Sequence, residues 1–172
     1  MRRNTARLSA CLLALFALAS GARAQEPFTS ETDDYTLELP TQTWKALPRT
    51  DGAHRHTEYV YGDRSDGYLR VRRGVLGGET SLNEFARAEA DTKLRFLPGF
   101  VVGKESPFSG RLSGVVSTYE YTNAGKPMAG RVYYLKADER TVFVLHFTGA
   151  RDRLRYIQNQ TDAIARSFKT KQ

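Results

Sequence analysis

The chain has 172 residues, 26 of them Lys or Arg and 19 Asp or Glu, for a net charge of +7, and it carries one cysteine. That length suits one domain with its own hydrophobic core, and the single cysteine excludes an internal disulfide. No apolar run reaches the roughly 20 residues that a membrane-spanning helix needs.

The first 24 residues read as a secretory signal peptide. Arg2, Arg3 and Arg7 form a positive start, Leu8 to Ala19 is a short apolar stretch, and Ala22-Arg23-Ala24 is a small-x-small cleavage pattern. Gln25 is then the expected mature N-terminus. The Arg2-Arg3 pair is followed by Asn4-Thr5-Ala6 rather than apolar residues, which favours general secretion over the twin-arginine route. Cys11 lies inside the apolar stretch and not at the first mature position, so no lipid anchor is expected. Cleavage removes four arginines and no acid, lowering the net charge from +7 to +3. So mild a balance gives no signal for nucleic acid. The expected location is periplasmic or secreted.

Tyr35-Thr36-Leu37-Glu38-Leu39-Pro40 alternates as a strand does, ends at Pro40, and is followed by Trp44 as an anchor at the core edge. Arg55 to Tyr61 and Tyr68 to Val75 read as strands joined by the turn Gly62 to Gly67, and Gly77-Gly78 breaks the chain. Ser81-Leu82-Asn83-Glu84 has the form of a capping box. Phe85, Ala86, Ala90 and Leu94 then recur at helical spacing up to Pro98-Gly99. Phe100 to Ser106 reads as a strand. Leu112 to Thr122, Gly130 to Ala137 and Thr141 to Thr148 form an antiparallel meander turning at Asn123-Ala124-Gly125 and Asp138-Glu139-Arg140. Its last strand is apolar on both faces and is expected at the centre of the sheet. A helix from about Asp152 to Phe168 closes the chain, with Leu154, Ile157, Thr161, Ile164 and Phe168 as its apolar stripe. The order gives an α+β fold, an antiparallel β-sheet with helices packed on it.

The Tyr-x-Leu-x-Leu-Pro opening with Trp44 is similar to that of PsbP-like and DcrB-like envelope proteins. So are the Ser81-Leu82-x-Glu84-Phe85-Ala86 helix start, the aromatic meander and the closing segment Asp162 to Lys169. The resemblance covers most of the mature chain. It implies a Mog-type α/β/α sandwich and a binding or assembly role, and it brings no shared catalytic residue set. Many bacterial relatives are lipoproteins, from which the missing lipidation cysteine departs.

Few motifs carry chemistry. On a strand, His54, His56 and Glu58 point to one side, and two imidazoles with a carboxylate suit zinc, although no fourth ligand is near in sequence. Asp63 to Gly67 loosely resembles a calcium loop but lacks the bidentate Glu, and a hairpin turn accounts for it. Ser113 lacks the Gly-x-Ser-x-Gly setting of a nucleophile. His146, in the most apolar strand, reads as a structural histidine. Gly74, Gly77 and Gly78 read as a loop rather than a phosphate cradle, and no cofactor motif is present.

What remains is an aromatic and basic surface: Tyr59 and Tyr61 on one strand, Tyr119 and Tyr121 on another, Arg131 and Tyr133 on a third, with Arg70 and Arg72 at its edge. If these faces coincide, the sheet carries a recognition patch for an envelope protein partner or a small ligand. Ordinary strand chemistry, with tyrosines half-buried under a helix, accounts for the same residues. The leading expectation is an exported, non-enzymatic binding or assembly protein. A metal-dependent hydrolase at His54, His56 and Glu58 is the alternative, and a structural stabiliser with no small ligand is a third.

Overall fold

The computed structural model describes residues 28–29, 33–78 and 80–171, without the side chains of Thr29 and His54. The expected signal peptide and the expected mature N-terminus at Gln25 lie outside the described residues. Among the described residues ten strands and three helices follow in chain order: β1 (Phe28–Thr29), β2 (Tyr35–Leu37), β3 (Trp44–Asp51), β4 (His54–Tyr61), β5 (Gly67–Val75), α1 (Leu82–Lys93), β6 (Val101–Ser109), β7 (Ser113–Asn123), β8 (Lys126–Lys136), β9 (Thr141–Ala150), α2 (Arg151–Tyr156), α3 (Gln158–Ser167) and β10 (Lys169–Thr170). The large sheet has seven strands in the order β3-β4-β5-β9-β8-β7-β6, and every neighbouring pair is antiparallel. A small sheet of order β1-β2-β10 packs its apolar residues into the core beside α3.

One face of the large sheet receives α2, α3 and β2. Tyr59, Leu69, Tyr133, Leu135, Leu145 and Phe147 meet Leu37, Leu154, Ile157, Ile164 and Phe168 there. The other face receives α1, where Val132, Tyr134, Val142 and Val144 meet Ala86 and Leu94. β9 therefore lies at the centre, covered on both sides, as its two-faced apolar sequence requires. The architecture is the expected α+β sandwich. Burying each large side chain contributes about 1.5–3 kcal/mol, so the thicker core on the α3 face dominates stability.

Local chemistry sets the helix ends. Ser81 Oγ accepts from the Glu84 N–H at 3.3 Å and the Ser81 N–H donates to Glu84 Oε2 at 2.8 Å, the reciprocal pair of a capping box. α1 stops at Lys93, short of Pro98-Gly99, because a compact turn intervenes: the Arg95 N–H bonds Ala90 O and the Leu97 N–H bonds Leu94 O.

Beyond the short strands β1 and β10 and the earlier start of β8, at Lys126 rather than Gly130, two elements differ from expectation. The closing helix is broken at Ile157, which adopts φ −94° and ψ 13° while its side chain stays buried. Its Cδ1 fills the space over Gly67, where an added Cβ would approach it to 2.8 Å. The expected stripe is intact, since Leu154, Ile157, Thr161, Ile164 and Phe168 are all buried. Second, Trp44 opens a full strand, β3, which forms one edge of the sheet. An edge tolerates Pro48, whose missing N–H costs no ladder bond when it faces outward.

Candidate functional site

The register divides the expected aromatic and basic patch between the two faces. Tyr59 is opposite Leu69, and Tyr133 is opposite both Val116 and Leu145, which puts Tyr59, Tyr61, Arg131 and Tyr133 on the α3 face. Arg70, Arg72, Tyr119 and Tyr121 lie on the α1 face. The eight residues thus form no single surface. Alternation within each strand fixes which residues travel together, but cross-strand pairing decides which set meets which.

On the α3 face the polar atoms tie layers together. Asp162 Oδ1 accepts from Tyr133 Oη at 2.6 Å and from Arg131 Nη2 at 2.8 Å, and Tyr133 Oη also bonds Thr161 Oγ1 at 3.0 Å. Burial raises the Tyr133 phenol above its ordinary range, and the Asp162 carboxylate raises it further, so it stays protonated. Tyr59 Oη and Tyr35 Oη bond at 3.2 Å across to β2.

On the α1 face, Tyr119 lies over Gly130, and its Oη sits 2.6 Å from His146 Nε2, a hydrogen bond whose direction follows the imidazole tautomer. Burial first, and then the Arg72 and Lys93 charges, push His146 down to about 4, so the ring is neutral at neutral pH. Glu89 of α1 binds Arg72, and also Lys93 at 3.1 Å. These groups surround a small cavity of about 140 Å³. Among the described residues no group of three metal-ligating side chains lies here, and the geometry fits a polar seam that orients α1.

Beyond the reach of α1, the same sheet face carries Glu58. Its Oε1 accepts from Tyr68 Oη at 2.7 Å, and its Oε2 accepts from Arg49 Nε at 3.3 Å and from Arg64. Burial alone would raise this carboxyl, but Tyr68, Arg64 and Arg49 hold it below the usual range. Burial and the Glu58 charge push the Tyr68 phenol up to about 12. His56 Nε2 stands 3.7 Å from Glu58 Oε1. Among the described residues no group of three His, Cys, Asp or Glu side chains could hold a metal; the side chain of His54 is not among them. In the loop that loosely resembles a calcium site, Asp63 Oδ1 accepts from the Ser65 N–H, the Ser65 hydroxyl and the Asp66 N–H, which accounts for the loop as a turn.

Several grooves flank β6, one of about 450 Å³ meeting it at Glu105, Ser106 and Pro107. Seven consecutive residues, Val101 to Pro107, are exposed, with Val101 at 60% and Val102 at 75%. The strand carries an extra residue between Val102 and Glu105, a bulge. Gly103 is required there, because a Cβ would come within 2.7 Å of Thr118 O, and Thr118 Oγ1 accepts from the Lys104 N–H at 2.9 Å. On the α1 side lies a groove of about 520 Å³ lined by Ala86, Ala90, Leu94, Phe100, Val102 and Tyr119, among others. On the opposite side, against α2, lies a groove of about 410 Å³ whose lining includes Arg131, Arg151, Arg155, Glu120, Val101 and Val102. Val102, Gly103, Thr118 and Tyr119 border both. Of the expected site residues, this margin gathers Tyr119 and Arg131; Tyr121 packs against Tyr119 at 5.7 Å. No local sequence signal marked this margin, because Val101 and Val102 read as ordinary strand residues.

No helix among the described residues is long and apolar enough to cross a membrane. No protein-family model matches the chain, and neither does any curated protein sequence. Solved structures do match. LpqN of Mycobacterium tuberculosis, described as involved in cell envelope biogenesis, is 20% identical, with 85% of this chain and 90% of that chain covered and a TM-score of 0.58. Cyanobacterial PsbP (CyanoP) from Synechocystis sp. PCC 6803 is 16% identical, covers 91% of this chain and 98% of its own, and gives 0.52. The Ran-binding protein Mog1p of Saccharomyces cerevisiae is 11% identical, covers 80% and 90%, and gives 0.57. The chain shares with PsbP and Mog1p an α+β sandwich fold.

Proposed function

We propose that this chain is an exported, non-enzymatic binding protein of the bacterial envelope that recognises a protein partner along the β6 margin. The observation that carries this reading is an exposed edge strand, Val101 to Pro107, with a groove on each face. Exposed valines beside arginines are the material of a recognition surface. The signal-peptide pattern of the first 24 residues supports export, and the fold shared with a protein involved in cell envelope biogenesis, a cyanobacterial PsbP and a Ran-binding protein supports a binding role by analogy only. The expected binding residues Tyr119, Tyr121 and Arg131 border this margin, while Tyr59, Tyr61 and Tyr133 are committed to the core and Arg70 and Arg72 lie farther along the sheet. A metal-dependent hydrolase at His54, His56 and Glu58 is less well supported, because Glu58 is already occupied by two guanidiniums and a phenol.

A photo-crosslinking residue placed at Val102, compared with one at the exposed Lys45 on the opposite edge strand β3, tests the reading in the native envelope. One stoichiometric protein adduct from position 102 and none from 45 is expected. Equal labelling from both positions, or none from 102, would overturn it.

A further inference from the structure

Side chains of an extended segment alternate between the two faces of its sheet every residue. A segment added along the outer edge of β6 would therefore send alternate side chains toward two chemically different grooves. Toward α2 it meets Arg131, Arg151 and Arg155. Arg131 is held by Asp162, and Arg151 is shared between Glu120 at 3.5 Å and Asp152 at 3.8 Å. Arg155 has no ion pair among the described residues, and the buried Nε of Arg151 has no hydrogen-bond partner. Guanidiniums present forked donors matched to carboxylates. Toward α1 the segment meets an apolar floor of Ala86, Ala90, Leu94, Phe100 and Val102, whose rim carries both signs of charge, Arg87, Arg95 and Lys104 with Asp91 and Glu105.

Resting on the reading of this margin as a recognition surface, we propose that β6 accepts an extended segment of a partner protein as an added strand, with acidic residues alternating with apolar ones. Main-chain hydrogen bonds supply affinity in such additions and side-chain pockets supply specificity. The available edge is Val101, Val102, Glu105 and Ser106, interrupted by the bulge at which the Lys104 N–H and C=O turn to Thr118 Oγ1, and it ends before Pro107, which lacks an N–H. The opposite edge is interrupted in mid-strand by Pro48. A second copy of this chain is the wrong occupant. Its own β6, Val-Val-Gly-Lys-Glu-Ser, lacks the acid-apolar alternation, and pairing would bring two arginine-rich grooves together.

The test uses three fluorescent ten-residue peptides and the purified protein. One alternates valine and glutamate, one alternates valine and lysine, and one has five valines followed by five glutamates. Alternating Val-Glu should bind at least tenfold tighter than either control, and Arg155→Glu should weaken it at least tenfold. Isotope-filtered NMR should show contacts between backbone protons of the peptide and those of Val101 to Ser106. Equal binding of the three peptides, or binding without backbone contacts to β6, overturns the added strand. If crosslinking from Val102 finds a partner while no peptide preference exists, the added strand falls and the surface reading stands. Self-association through β6 in the absence of peptide would also overturn it.

Discussion

The ring of Tyr119 occupies the space that a side chain at Gly130 would need: a Cβ added to Gly130 would lie 2.0 Å from Tyr119 Cε1. The two residues are direct cross-strand partners on β7 and β8, and this seat lets the phenol reach across β8 to His146 on β9. Gly130→Ala must expel the ring, and is expected to destabilise the protein by about 1–3 kcal/mol in urea denaturation. Because the clash needs both residues, the double variant Gly130→Ala/Tyr119→Ala should cost clearly less than the sum of the single changes. Additive costs would show that the ring does not depend on this seat.

His146 should make stability depend on pH. Its folded-state value is about 4, against 6.5 for the free side chain, so the unfolded chain binds more protons between those values. The contribution is fully present above about pH 6.5. It is lost as the pH falls toward 4, below which both states carry the proton and the loss levels off. The full effect is at most about 3 kcal/mol. Carboxylates held low by hydrogen bonds, such as Asp63 and Glu84, lose stabilisation at still lower pH. The comparison that isolates the ring is therefore wild type against His146→Gln at pH 7.5 and pH 4.5. The variant should lose less stability over that interval, and an equal loss would remove His146 as the cause.

Asp162 anchors α3 to the sheet through a single oxygen that accepts from both Tyr133 and Arg131. Asp162→Ala strands a fully buried phenol that retains only Thr161 as a partner for its hydroxyl besides Arg131, and is expected to cost about 1–3 kcal/mol. Tyr133→Phe removes the hydroxyl itself and should cost less. Thermal unfolding of the two variants side by side checks the order, and a milder effect for Asp162→Ala would show that Arg131 and Thr161 satisfy the phenol alone.

Much of this architecture was legible where its cause is local. The capping box needs only Ser81 and Glu84 three residues apart, and the stripe from Leu154 to Phe168 needs only helical spacing. The two-faced apolar run at Val142 to Phe147 announces a central strand without any partner. The split of the tyrosine patch was not legible, because whether Tyr59 shares a face with Tyr119 depends on pairing through β5, β9 and β8. The break at Ile157 has no Gly or Pro to mark it, being set by contact with Gly67, some ninety residues away. The β6 margin escaped for a related reason. Its valines are ordinary strand residues in the sequence, and only the order of strands reveals that nothing pairs outside them among the described residues.

The turn between β7 and β8 offers a stabilising change. Asn123 pairs with Lys126, leaving Ala124 and Gly125 as a two-residue loop, and both have positive φ, +49° and +76°. That is the mirror-image hairpin turn whose backbone twist matches the flanking strands, and its first central position favours Asn, Asp or Gly. Ala124 is the one non-glycine residue with positive φ among the described residues, and its Cβ crowds the following carbonyl there. Asparagine tolerates this conformation through local hydrogen bonds, whereas glycine gains steric freedom but also adds entropy to the unfolded chain. Ala124→Asn should therefore raise stability by about 0.5–1 kcal/mol, with Ala124→Gly giving a smaller gain. Denaturation midpoints of the two variants measure this directly. A loss of stability in Ala124→Asn would mean that the left-handed conformation is not what this loop adopts. Because the turn lies at the opposite end of β7 from Ser113 and makes no part of either groove lining, the same variant should leave crosslinking from Val102 unchanged.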